Sequence, residues 1–321
     1  MRLWVSMGVK RHGRHDEPLR PRLVELDADS GTVVRQLDWE TPHTCGAGLE
    51  VHQEFTAGHL APDGCFWQPT HTELLRIDVD TMTVVEALAH PLFHGLHSVT
   101  TSPAGHLVLS AAGLDSVLEL SRRGELLAHH FLDEGGFARR HPRPQDFRHV
   151  PYDALKPHSH HPNHAQWVGD TLWATCFETR RAHRLVGTGP DVLLPEGIPH
   201  DGRLRDGLLW FTQVDGRVIA VEPHSGARVH TIDLSSLDPS PGLLGWCRGV
   251  EKVGDRLFVG FTQLRRARHR EVARWLLRGE QGLKRPSRVV EVDLASGGIV
   301  RETVLGNEAG GTIYGIQRMP S

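Results

Sequence analysis

The sequence predicts an all-β protein, a six-bladed β-propeller. Two recurrent patterns and one feature of the termini carry that expectation. A unit of about four short strands returns every 35 to 50 residues or so, the period of propeller blades. Within each unit a Gly/Asp turn precedes a hydrophobic strand, as in GDTLWAT (169–175), DGLLWFT (206–212) and GDRLFVG (254–260). The C-terminal run Thr312 to Ile316 supplies one inner strand, and Arg2 to Leu37 supplies the three strands that it lacks. Closing one blade from both ends removes a free sheet edge.

Taken in order, Arg2 to Val9, Arg22 to Leu26 and Thr32 to Leu37 read as strands, the last two joined by the turn Asp27–Gly31. The same outer hairpin recurs at 74–88, 117–131, 218–232 and 289–304, with a shorter version at 183–194. Each is an alternating strand, a polar or Gly-containing turn and a second alternating strand. Internal copies begin near Val51, Gly95, Pro162, Gly197 and Trp246, which with the closing blade makes six; a seventh requires a blade hidden in an insertion. The 321 residues then form one propeller domain with two insertions, 133–157 and 265–286. In the second, Val272, Trp275 and Leu276 share one face of an expected short amphipathic helix. Long loops in a compact fold are often lids or binding loops, so both are expected to cover a site.

Composition narrows the function. A net charge of −3 gives no basic footprint for nucleic acid, and no apolar run reaches membrane length. The four cysteines are far apart with no CxxC pair, which argues against a disulfide scaffold and against cysteine-bound zinc. The N-terminus lacks a signal-peptide pattern, and the expected location is cytoplasmic. No dinucleotide, P-loop, GxSxG or HExxH motif is present.

The 23 histidines are the informative excess. Aligning the inner strands on their turns places His52, His97, His164, His200, Arg248 and Tyr314 at one position of successive blades. Equivalent inner-strand positions ring the propeller axis, so four imidazoles there would share a transition metal: zinc, iron or copper. Glu54 is the alternative to His52, because the loop after His52 is longer. Arg248 would clamp a carboxylate and Tyr314 would act as acid or base; the alternatives are that Arg248 pairs with Glu251 and that Tyr314 only packs. Asp201 and Gln166 are expected to orient imidazoles. His94, His158, His160 and His161 are satellites of the ring: donors behind the ligands, additional ligands or, the favoured reading, simply loop residues.

The turn-and-strand pattern resembles the gluconolactonase-like, streptogramin-lyase-like and NHL-repeat propellers over most of the chain. Gluconolactonase-like propellers bind calcium or zinc largely through carboxylate and Asn oxygens, whereas the ring here is His-rich. In architecture the ring is similar in kind to the lyase domain of peptidylglycine amidation, six-bladed with an axial three-His zinc, a tyrosine and an arginine. Carotenoid oxygenases also place four histidines on a propeller axis, in longer, seven-bladed chains. The expected function is a metal-dependent lyase or hydrolase acting on a small molecule or modified peptide. The alternatives are an iron- or copper-dependent oxygenase, a metal-free enzyme with a histidine base, and a non-catalytic binding scaffold.

Overall fold

A computed structural model describes residues 1–10, 19–40, 53–238, 244–263, 285–305 and 311–320. The chain opens with β1 (Arg2–Lys10), β2 (Leu19–Asp27) and β3 (Thr32–Asp38). Five four-stranded antiparallel sheets follow. They are β4–β7 (His59–Leu60, Phe66–Pro69, Leu74–Asp78, Thr83–Leu88) and β8–β11 (Leu96–Thr101, Leu107–Ala111, Ser116–Leu120, Leu126–Phe131). Next come β12–β15 (Pro162–Val168, Thr171–Cys176, Arg181–Val186, Val192–Leu193) and β16–β19 (Arg203–Arg205, Leu208–Thr212, Arg217–Val221, Arg228–Asp233). The fifth is β20–β23 (Trp246–Val253, Arg256–Thr262, Arg288–Asp293, Gly298–Val304). The final strand, β24 (Thr312–Arg318), pairs with β1 to give the order β24-β1-β2-β3. This is the six-bladed propeller with the closing blade built from both ends of the chain.

Burial explains why these segments become these strands. The second and third strands of a blade face neighbouring blades on both sides, and β9, β10 and β13 are buried throughout. Outermost strands such as β7 alternate between exposed and half-buried, so they carry the period-two pattern. Turn chemistry sets the register. Between β16 and β17, Asp206 (φ 51°) and Gly207 (φ 77°) form a two-residue loop with both φ angles positive, the geometry that Asp-Gly favours. Apolar clusters fill the gaps between blades: Trp67 and Leu74 against Leu107 and Leu118, Trp210 and Val218 against Val250 and Leu257. Trp67, Trp173 and Trp210 pack there, as their strand positions predict.

The inner strands converge at one level on small residues. Ala57 bridges Ser98 in parallel, and the Ala165 amide donates to Ser98 Oγ. The Gly249 amide donates to Asp201. A Cβ on Gly249 would lie 3.2 Å from the Gly315 Cα, and one on Gly315 would lie 2.8 Å from the Ala57 Cα. Ala57, Ser98, Ala165, Asp201, Gly249 and Gly315 are therefore taken as equivalent positions, and at Gly249 and Gly315 the backbones approach too closely for a larger side chain.

The 133–157 insertion forms α1 (Glu134–Arg140), capped by Asp133, and two 3-10 turns at Phe147–His149 and Tyr152–Leu155. The helix expected within 265–286 lies outside the described residues apart from its last two positions. Among the described residues no helix is long and apolar enough to cross a membrane.

Candidate active site at the propeller axis

The position preceding each small residue is the ring that the sequence alignment identifies. It holds His97, His164, His200, Arg248 and Tyr314, in the register expected from their turns. In the first blade the register differs from expectation. Ala57 is the partner of Ser98, so the preceding position is Thr56. His52 lies four residues earlier and outside the described residues.

The three described histidines do not converge. Among the described residues no three His, Cys, Asp or Glu side chains come together with a spacing that could hold a metal. Four of the innermost strands, β8, β12, β20 and β24, carry a β-bulge, and its exact place differs. In β8 the register shifts between Leu96 and Ser98, so His97 is the extra residue. In β24 the extra residue is Tyr314, and in β20 the shift falls around Arg248 and Gly249. In β12 it falls one residue earlier, on Asn163, which leaves His164 in regular pairing with Thr175. Bulges re-aim side chains. His97 and Tyr314 therefore turn to one end of the channel, while His164 is directed towards Asp201, Arg203 and His200, with its ring edge beside Gly202.

At that end His97 Nδ1 donates to the Gly95 carbonyl over 3.0 Å, because a carbonyl can only accept. This leaves Nε2 with its lone pair. The His97 ring meets His161 edge-on at 4.8 Å between centroids and Tyr314 at 6.5 Å. Burial, assisted by His200, lowers the His97 pKa to about 3, and burial pushes His161 well below its usual range. Both are neutral imidazoles near pH 7. The Tyr314 hydroxyl donates to Glu54 Oε1 over 3.2 Å, so Glu54 joins the site where His52 was the first expectation.

Arg248 lies over Trp246 (4.7 Å) and Tyr314 (5.2 Å). Its expected alternative partner is taken. Glu251 accepts two 2.7 Å hydrogen bonds from Arg205 and lies 3.7 Å from Arg203. His200 is buried with Nδ1 3.6 Å from Asp201, whose other contacts are the Thr212 hydroxyl and the Gly249 amide. Burial lowers the His200 pKa against the opposing pull of Asp201. Asp201 is thus placed beside an imidazole as expected. Gln166 is not, since its amide donates to the Trp167 carbonyl.

The loop 158–161, whose histidines read first as plain loop residues, enters the site. One buried carboxylate organises it. Asp115 accepts from the amides of Ser159 (2.9 Å), His160 (3.0 Å) and His161 (2.7 Å) and from the Ser159 hydroxyl (2.9 Å). Arg140 of α1 pairs with it at 3.1 Å. Burial works to raise the Asp115 pKa, but these donors hold it below the usual carboxylate range. His161 takes φ 53° and contacts both His97 and His158, whose centroid is 5.0 Å away. From the insertion, Tyr152 lies 5.7 Å from His158 and stacks on His94 at 5.8 Å. Only two tyrosines occur in the chain, and both are here; that scarcity was the available clue to Tyr152.

No protein-family model matches the chain. No curated protein sequence matches it either. Solved structures do. A Bacteroides caccae protein of unknown function aligns with TM-score 0.65 at 15% identity, covering 98% of this chain and 97% of its own. A streptogramin B lyase aligns with TM-score 0.53 at 14% identity over 96% and 89%. A chain of a nidogen/laminin complex aligns with TM-score 0.59 at 10% identity over 98% and 97%. At these identities the likeness is one of fold: a six-bladed propeller whose structural neighbours include a lyase and a component of a protein complex.

Proposed function

We propose that the channel end bearing His97, His161, Tyr314 and Arg248 is the active site of a lyase or hydrolase acting on a small molecule or modified peptide. The observation that carries this reading is His97. Its Nδ1–H is anchored to a backbone carbonyl, its Nε2 is left to accept a proton, and burial keeps the ring neutral. Tyr314, hydrogen-bonded to Glu54, supplies an O–H for the leaving or developing oxygen. A free-site pKa near 3 makes His97 a weak base. An anion bound beside Arg248 would raise it by favouring the imidazolium, so substrate itself activates the base. A streptogramin B lyase has the same fold, which supports a lyase reading.

Placing a base in this way is worth roughly 10²- to 10⁴-fold. Screening cyclic esters, linear esters and peptides for elimination or hydrolysis should find turnover, and His97→Gln should lower kcat by at least about 100-fold with the fold intact. Turnover unchanged in His97→Gln would overturn the reading, and the absence of turnover across the screen would favour a binding scaffold.

A second reading follows from the His97–His161 contact. Two neutral imidazoles, one with its far nitrogen fixed on a carbonyl, are the donor chemistry that zinc, iron or copper takes. Two protein donors are fewer than the three typical of catalytic zinc, so this reading ranks second. Elemental analysis of protein purified without a metal-affinity step discriminates. Stoichiometric metal that is lost in His97→Ala/His161→Ala would move the assignment to metal-assisted chemistry, with iron or copper pointing to oxidation.

A further inference from the structure

Arg248 is an arginine without an acid. Among the described residues it forms no ion pair, and its Nε is buried with no hydrogen-bond partner. Its guanidinium carbon lies over the rings of Trp246 and Tyr314, which offer faces but no acceptor in its plane. Glu251, three residues along the same strand, is engaged by Arg205 and Arg203. Glu54 accepts from the Tyr314 hydroxyl. The imidazoles at this end, His97 and His161, are neutral and offer the guanidinium no opposite charge. A half-buried cation arranged this way is costly unless something completes it.

The channel is also sealed beneath this point. Arg203, only 4% exposed, opens β16 three residues after His200 in the chain. It donates to Gln317 Oε1 on β24 (2.7 Å) and to the Gly58 carbonyl of the first blade (2.9 Å), and it faces Glu251 on β20 at 3.7 Å. One side chain thus ties four blades across the axis, roughly 10 Å below the ring at about 3.3 Å per residue. These contacts place a buried side chain across the axis beneath Arg248, so the open side for a ligand is the end that the 158–161 loop and the 133–157 insertion adjoin.

We propose that Arg248 is the receptor for a planar carboxylate presented end-on, so that the substrate is a small molecule or chain that terminates in a carboxylate monoanion. This rests on the active-site reading above and adds the substrate class. A guanidinium whose carbon lies over two aromatic rings finds no acceptor in them, and two of its N–H donors match the two oxygens of a carboxylate in one plane. One guanidinium without a direct ion pair matches a monoanion. A dianionic phosphate would bring an excess of negative charge to an end that already holds the Glu54 carboxylate.

The test is a binding measurement on the whole protein that does not depend on turnover. The Arg248 Nε–H signal, assigned by its loss in Arg248→Gln, is followed by NMR while benzoate, neutral benzamide or inorganic phosphate is added to roughly 10 mM, a range that reads weak affinities. Benzoate should shift it saturably, with benzamide and phosphate at least tenfold weaker. A ligand-side readout, saturation transfer to benzoate, should show at least tenfold loss of binding in Arg248→Gln. Arg248→Lys should fall between the two, since it keeps the charge and loses the fork. Equal binding of benzamide, equal or tighter binding of phosphate, full binding by Arg248→Gln, or no benzoate binding would each overturn the proposal. His97→Gln separates the two readings. Lost turnover with intact benzoate binding supports both, whereas turnover without a carboxylate requirement sinks only the substrate class.

Discussion

At the scale of single residues, charge pairing and neighbouring backbone decide which candidates act. Arg248 and Glu251 lie three apart on one strand and look like a pair in sequence. Arg205 reaches Glu251 from the neighbouring blade with both ends of its fork, and that pairing releases Arg248 for a ligand. Gly315 is set by geometry of another kind. A Cβ there would come 2.8 Å from the Ala57 backbone, where nothing flexible can yield. Gly315→Ala should therefore cost about 1–3 kcal/mol, as overpacking of a tight contact does, read as a lower denaturation midpoint with an unchanged slope. A wild-type midpoint would mean that the closing strand can move away from the first blade. His97, Arg248 and Tyr314 were legible because their turns align. That His164 parts from them was not, because one-residue differences in bulge position leave no mark in composition or hydropathy.

At the scale of elements, the 158–161 loop shows how an irregular segment is made definite. Four hydrogen bonds from three consecutive residues end on the Asp115 carboxylate, and His161 adopts a left-handed backbone that its own sequence does not favour. Hydrogen bonds to a charged acceptor contribute about 1.5–3 kcal/mol each, and an uncharged amide keeps only part of that. Asp115→Asn should leave the propeller folded but expose the amides of 159–161 to hydrogen exchange at least about tenfold faster, the change expected for about 1.4 kcal/mol of local stability. Unchanged protection would show that Arg140 and the insertion hold the loop without Asp115. The importance of this loop escaped sequence reading because its anchor lies more than forty residues away, after β9. A run of histidines among prolines otherwise reads as a solvated connection.

At the scale of the whole molecule, burial of histidines makes stability depend on pH. Burial lowers the pKa of His94 and His129 to about 4 and that of His59 to about 3, while all three titrate near 6.5 in an unfolded chain. Between 6.5 and the folded values the unfolded state binds more protons, so falling pH favours unfolding. Stability should be flat above about pH 7 and fall below 6.5, by up to about 1.4 kcal/mol per pH unit for each such histidine. Denaturant midpoints at stepped pH values check this. His94→Gln, which can still donate to the Val150 carbonyl as His94 Nε2 does over 3.1 Å, should make the decline shallower. A midpoint independent of pH between 7 and 5 would contradict the buried, neutral assignment.

The amino-acid sequence by itself determined the propeller, its six blades, the closure through both termini and the register of the axial ring on five blades. Those properties follow from local periodicity and turn chemistry, which each blade carries independently and repeats. Only the tertiary structure decided which ring members share an end of the channel, that Thr56 takes the sixth place, that Arg203 crosses the axis and that Arg248 has no acid paired with it among the described residues. Those outcomes depend on bulge positions and on pairings between blades many residues apart, where shifts of an ångström redirect a side chain and no sequence period records them.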